Sequence, residues 1–276
     1  MTLPIPTNKE KYAIRSMLRA SPGYILLSLD LAQAEAWIVA YLANCRAMKE
    51  ALSRPDEFGF HNTSSRAIFD IPDTILPTKD QRYLGKKFNH SGNYGTSAMM
   101  ISFMVNVESI NPPYITLSVA DSKRLHAKWK ELYFEVPLWW ESIQRDLATS
   151  RTLRTPYGRE RTFYGQWGDS LFKEAYAYKP QSTVGDHCLG LTQDELGIPG
   201  GIRSIYKNLV PKGIRILNTA HDSVIIECPV GTEKEVYAEC YSYMYRPLVV
   251  NGETIHIPVD GEIGERWGEL TPYSIK

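Results

Sequence analysis

The sequence predicts an α+β fold, in which an antiparallel sheet with packed helices receives its strands from both ends of the chain and a helical segment lies between them. Three observations lead there. An apolar run, YILLSL, precedes Asp30 near the start. Two more, IRILNTA and SVIIEC, surround His221-Asp222 near the end. The stretch between them is dominated by apolar positions recurring at three and four, with few strand signals.

The elements follow in order. YILLSL is short, apolar and preceded by Pro22-Gly23, which reads as a buried strand. From Gln33 to Leu52, Ala36, Val39, Ala40 and Ala43 keep helical spacing, so one helix is expected there. A second is expected near Phe60 to Phe69. Pro72 and Pro77 then break the chain, and Thr78-Lys79-Asp80 reads as the cap of a long helix through about Asn89, with Gly92 and Gly95 bracketing its end. Asn111-Pro112-Pro113 reads as a loop, followed by helices over Ser118 to Tyr133 and Pro137 to Ser150. Thr152 to Thr155 and Glu160 to Tyr164 flank Pro156-Tyr157-Gly158, a hairpin signal. Helices are expected around Asp169 to Leu196. The two apolar runs around His221-Asp222 form a hairpin whose turn displays those side chains. A helix near Thr232 to Tyr245 and a strand pair around Ile255 to Ile263 close the chain. The segments divide as 1–54, 55–150 and 151–276, the middle one helical.

Composition narrows the function classes. With 276 residues, 43% hydrophobic and 22% charged, the chain is globular, with one large domain or about two. Lys+Arg and Asp+Glu number 31 each, which argues against nucleic-acid binding by bulk charge but leaves room for a local basic groove. Cys45, Cys188, Cys228 and Cys240 form no CxxC pair, and fit reduced thiols better than a disulfide framework or a zinc site. Thr2 to Arg19 has no apolar core of a secretory signal. The most apolar window, Tyr24 to Ala43, carries Asp30 and Glu35 in its middle, and a carboxylate at a bilayer centre costs about 2.5–3.5 kcal/mol. A soluble protein is the expectation.

Chemistry is suggested at two places. Asp30 and Asp222 each end an apolar strand, where a carboxylate is costly unless paired, hydrogen-bonded or bound to a cation. If their strands are neighbours, the two could share Mg²⁺, which takes a few carboxylates plus water and substrate phosphates. Each could equally cap a turn. On the long helix, Arg82, Lys86, Asn89 and His90 fall at about 0°, 40°, −20° and 80° around the axis, with Lys79 on the same face. Such a face could grip a polyphosphate by charge-assisted hydrogen bonds, or be a solvated surface. Tyr94 at its end could stack on a base or pack in the core.

These residues carry a resemblance. LDLAQAEAWIVAYLA resembles the DYSQIELR-type first motif of family A DNA polymerases, the bacterial DNA polymerase I group. RYLGKKFNHSGNYG is similar to that family's second motif, Arg-x3-Lys-x6/7-Tyr-Gly, and NTAHDSVIIE to its third. FGFH, TPYGRER, KPQSTVGD and the closing VDGEIGERW resemble further family elements, in the family's order. The resemblance implies a polymerase palm with an inserted helical fingers subdomain. It implies template-directed nucleotidyl transfer from dNTP to a primer 3′-hydroxyl with two Mg²⁺ ions. Asp30 and Asp222 would be the catalytic metal ligands, joined by the carbonyl of Leu31. Gln33, Glu35, His61, Arg82, Lys86, His90 and Tyr94 would contact the dNTP. Of these, Arg82 and Lys86 would hold the triphosphate and Glu35 would be the gate against a 2′-hydroxyl. Arg159, Gln181 and His221 would contact primer–template DNA.

The sequence also departs from the family pattern. His90 stands where relatives carry Phe or Tyr, Ser223 where a Glu usually follows the second aspartate, and Trp37 and Ala177 where Arg and Asn are common. Only 29 residues precede Asp30, so the expectation is palm and fingers without a thumb. A separate chain would supply thumb and exonuclease, docking near Met1 to Pro22. A two-metal nuclease and a non-catalytic nucleic-acid-binding remnant are the competing readings. No membrane is expected. The expected location is the cytoplasm of a bacterium or phage-infected host, beside the nucleoid, an organelle also being compatible.

Overall fold

The computed structural model describes residues 14–54, 58–108, 114–193 and 197–275. The expected Asn111–Pro113 loop, residues 194–196 and the first part of the expected docking segment lie outside them. In chain order the elements are β1 (Tyr24–Leu31), α1 (Ala34–Leu42), α2 (Arg46–Leu52), α3 (Phe60–Phe69), α4 (Lys79–Gly92), α5 (Ala98–Glu108), α6 (Val119–Leu132), α7 (Glu135–Ser150), β2 (Thr152–Arg154), β3 (Glu160–Thr162), α8 (Asp169–Leu189) and α9 (Gly201–Leu209). They continue with β4 (Arg215–Ala220), β5 (Ser223–Pro229), α10 (Glu233–Met244), β6 (Pro247–Val250), β7 (Glu253–His256), β8 (Val259–Gly264) and β9 (Thr271–Pro272). Two compact units result. One holds the described residues through Ala34, Pro156–Gly158 and the chain from Gln181 onward; the other holds Glu35–Thr155 and Arg159–Pro180.

The first unit is built on a five-stranded antiparallel sheet ordered β4-β5-β1-β8-β9, so its central strand comes from the start of the chain and its flanks from the end. β1 occupies the centre because YILLSL is apolar at successive positions and can be covered on both faces. Side chains alternate across a strand. Leu26 therefore joins Ile225 and Trp267 in a small core on one face, which is also the face of Ser28 and Asp30. Leu27, Leu29 and Leu31 are fully buried on the other, the side covered by α10. β4 and β5 meet at a two-residue turn, His221-Asp222, between the paired Ala220 and Ser223.

The second unit is helical, apart from the β2–β3 hairpin. Thr78 caps α4 with a reciprocal capping box, its hydroxyl taking the Gln81 N–H while the Gln81 side chain takes the Thr78 N–H. α4 packs between α3 and α6 because it presents glycine to each. A Cβ on Gly85 would lie 2.0 Å from the Ser65 hydroxyl oxygen, and one on Gly92 would lie 2.6 Å from the Trp129 ring. Trp129, Tyr133, Phe60 and Phe88 form the buried aromatic centre, and the Tyr133 hydroxyl meets Ser64 at 2.8 Å.

Several sequence expectations need correction. The helix expected over Gln33–Leu52 is two, α1 and α2. Asn44 takes a left-handed φ of 50° and Cys45 N–H returns to the Ala40 carbonyl, which turns the chain between them. Helices α5 and α9 were not expected: AMMISFMVNVE lacks an amphipathic stripe, and GIRSIYKNL is masked by the glycines before it. The final strand pair is not a pair. β7 pairs with β6 across Asn251-Gly252, both at positive φ as a tight hairpin turn demands, whereas β8 pairs with β1 and β9. Asn89 does not share the exposed face of Arg82 and Lys86 but is buried. Its side chain bridges the facing helices, accepting from Trp129 Nε1 at 2.8 Å and meeting His61 Nδ1 at 3.0 Å. All four cysteines are buried free thiols, and no helix among the described residues is long and apolar enough to cross a membrane.

Candidate active site

In the first unit the sheet register brings the acids together. Asp30 stands directly opposite Ser223 on β5 and Asp260 on β8, one residue from the turn that carries Asp222. Leu31 N–H donates to the Asp222 carbonyl at 2.9 Å, tying the end of β1 to that turn. A cavity of about 320 Å³ is lined by Asp30, Asp222, Asp260, Glu262 and Arg15, among others. Burial pushes the Asp30 carboxyl up to about 7, and Asp222, Asp260 and Glu262 push the same way, opposed by Arg15. Like charges directly opposite in a sheet repel, so a cation held at this corner would stabilise it. The oxygen-only donor set suits a hard divalent ion. Among the described residues no three His, Cys, Asp or Glu side chains gather as a ligand set, so such an ion would need further oxygens from water, backbone or substrate.

In the second unit α4 presents its basic side chains. Arg82, Lys86 and His90 are exposed along one side of it. His61 on α3 is half-buried, and burial first, then Lys86, Arg82 and His90, lowers its pKa to about 4. His61 is therefore neutral near pH 7 and held by Asn89, a hydrogen-bonding group beside a cationic strip. At the end of α4 the Tyr94 hydroxyl donates to the Glu35 carboxylate in the first turn of α1, and the His90 ring meets the Tyr94 ring edge-on at 5.9 Å. Glu35, Tyr94 and His90 thus form one linked group.

The remaining expected residues are spread over both units. In the first, Gln33 is exposed at φ 54° in the turn after β1, Gln181 is exposed on α8, and His221 is exposed in its hairpin turn, 3.7 Å from where a Cβ on Gly185 would stand. In the second, Arg159 is exposed beside the turn of the β2–β3 hairpin. Its carbonyl accepts from Thr155 N–H at 2.9 Å and Tyr178 Oη at 3.0 Å, leaving the backbone fixed. Asp260, Glu262 and Arg15 were not anticipated. The alternation in VDGEIG, which puts Asp260 and Glu262 on one face of a strand, was the available signal for the two acids.

The fold is that of a polymerase domain. It matches the POL domain of Pol1 from M. smegmatis, solved in complex with DNA primer-template and dNTP, with a TM-score of 0.74 at 19% identity over 96% of this chain and 44% of that one. The family model described as DNA polymerase family A matches residues 2–184, and the chain belongs to that family. Similar relatives include DNA polymerase I A, chloroplastic/mitochondrial, of Arabidopsis thaliana (24% identical over 94% of this chain) and DNA polymerase I B, mitochondrial, of Oryza sativa subsp. japonica (25% over 94%). The DNA polymerase of Escherichia phage T5 is 20% identical over 79% of this chain. The chain spans about a quarter of the length of these relatives, 26% of the two plant proteins and 27% of the phage protein.

Proposed function

We propose that this chain performs template-directed DNA synthesis, joining a dNTP to a primer 3′-hydroxyl, with its sheet unit as palm and its helical unit as fingers. The observation that carries the reading is the register of β1, β5 and β8, which sets Asp30 beside Asp222 at one corner of the sheet. Two divalent cations held there would supply charge stabilisation to the attacking and leaving oxygens. Asp30 and Asp222 would hold them, with the Leu31 carbonyl. Arg82 and Lys86 would bind the triphosphate by charge-assisted hydrogen bonds, and neutral His61 would add a hydrogen bond without competing for the phosphate charge. Glu35, fixed by Tyr94, would lie against the sugar and reject a 2′-hydroxyl, and His90 would border the same sugar. Gln33 would complete the nucleotide contacts. Arg159, Gln181 and His221 would contact primer–template DNA, mainly through its phosphates, which fix position rather than sequence. Phosphoryl transfer needs positioning and electrostatics more than a protein nucleophile, which these side chains supply.

The neutral chain offers little bulk attraction for a duplex, and phosphate contacts dominate affinity. A partner chain would therefore add duplex contacts and lengthen the products. Primer extension with Mg²⁺ and each dNTP tests the function. Template-matched extension supports it; shortening of the primer would point to a nuclease, and binding without either would overturn the catalytic reading.

A further inference from the structure

His61, Asn89 and Trp129 come from three helices of the helical unit, α3, α4 and α6, and two hydrogen bonds join their side chains into a chain. Trp129 is fully buried, Asn89 is 1% exposed, and His61 is half-buried beside the basic side chains of α4. Trp129 Nε1 donates to Asn89 Oδ1 at 2.8 Å, and Asn89 Nδ2 stands 3.0 Å from His61 Nδ1.

The buried end sets the direction of this chain. An indole nitrogen only donates, so the amide atom that faces it must be the oxygen. The Asn89 amino group is thereby turned toward His61, and it too only donates. Nδ1 of His61 must therefore accept. A neutral imidazole has one N–H, which is left on Nε2. A second proton, on Nδ1, would set N–H against N–H and break the bond to Asn89. Burial, Lys86, Arg82 and His90 disfavour that proton as well. The anchor is held on two sides. The Trp129 ring meets the Tyr133 ring edge-on at 5.4 Å, and it lies so close to α4 that a Cβ on Gly92 would stand 2.6 Å from it. At the other end the His61 carbonyl accepts from Ser65 Oγ at 2.7 Å.

We propose that Trp129 and Asn89 are positioning residues that set the tautomer of His61, so that its imidazole offers Nε2–H to a phosphate oxygen of the nucleotide. Phosphate oxygens are strong acceptors, and the opposite tautomer would turn a lone pair toward them. The arrangement supplies a hydrogen-bond donor of fixed kind without adding a positive charge beside Arg82 and Lys86. The phosphate contact rests on the polymerase reading above; the tautomer does not.

The test reads the ring nitrogens of His61 by NMR at pH 8, assigned by their loss in His61→Gln, first without nucleotide. One neutral tautomer, protonated on Nε2, is expected in the wild-type chain. Asn89→Asp keeps the size of the side chain and an acceptor for Trp129 but puts a carboxylate oxygen where the amide donor stood, so the proton should move to Nδ1. Trp129→Phe frees the amide to turn over, so both tautomers should appear. A wild-type ring protonated on Nδ1 would overturn the relay, and so would a proton that stays on Nε2 alone in both variants with their folds intact by circular dichroism. Titration with dTTP and Mg²⁺ then reads what the proton is used for. The wild-type Nε2 signal should shift saturably, and Asn89→Asp should bind dTTP at least about tenfold more weakly, the loss of one hydrogen bond to a charged group. An Nε2 signal unmoved by saturating dTTP would overturn the phosphate contact. Primer extension on the same wild-type sample reports separately on the polymerase function.

Discussion

The Tyr94 hydroxyl, at the C-terminal end of α4, donates a hydrogen bond to the Glu35 carboxylate, in the first turn of α1 and 59 residues earlier in the chain. That bond holds a charged side chain at one angle, and a gate must be rigid to discriminate by size. Glu35→Ala should raise ribonucleotide incorporation, measured as the ratio of kcat/KM values for rNTP and dNTP, by about 5- to 150-fold, the equivalent of about 1–3 kcal/mol for an unpaired buried polar group. Tyr94→Phe should raise it by a smaller factor, since the carboxylate remains but is no longer pinned. An unchanged ratio in both variants would place the gate elsewhere.

Asp30→Asn and Asp222→Asn should each lower extension by at least the order of 10²- to 10³-fold, the scale of a single strong electrostatic contributor. Folding should persist, because a neutral side chain at Asp30 relieves both the burial of charge and the repulsion from Asp222, Asp260 and Glu262 that raise its pKa. Ser223→Ala, directly opposite Asp30, should cost less than tenfold. Near wild-type turnover in either Asn variant would remove the metal-binding role of the pair.

The strand-end aspartates, the capped α4 and the hairpin at His221-Asp222 were legible because each depends on local pattern: an apolar run, a Thr-x-x-Gln cap, two runs two residues apart. What the sequence hid depends on packing. Helical angle alone puts Asn89 with Arg82 and Lys86, but its position was decided by two ring nitrogens, on Trp129 and His61, that need a partner in the interior. Asp260 and Glu262 were hidden because only the sheet order, with β8 beside β1, brings them to Asp30. The α1–α2 break turns on a single left-handed residue, Asn44, within an otherwise helical pattern.

Gly92→Ala tests the packing of α4 on α6. The added methyl would meet the Trp129 ring at 2.6 Å, and that ring is fully buried and fixed by Asn89, so it has nowhere to retreat. Overpacking of this kind costs about 1–3 kcal/mol, despite the better helix propensity of alanine. A lowered Tm is expected, with a loss of extension activity because α4 carries Arg82 and Lys86. An unchanged or raised Tm would show that the helices part freely there.

Three histidines set the acid limit of the fold. Burial first, with nearby cations second, lowers His61 and His126 to about 4 and His187 to about 3, against about 6.5 in an unfolded chain. Between pH 6.5 and 4 the unfolded chain therefore binds protons that the folded chain refuses, and stability falls as pH falls, by at most about 1.4 kcal/mol per pH unit for each histidine. Asp30, raised to about 7, works in the opposite sense, since the folded state keeps its proton over the same range. Three refused protons against one retained leave a net loss of stability on acidification. Urea midpoints at pH 7.5, 6 and 5 should decline in that order. His126→Gln should flatten the decline, because a neutral amide removes one of the three titrations. A midpoint constant from pH 7.5 to 5, or a slope unchanged in His126→Gln, would show that these imidazoles are not held neutral by the fold.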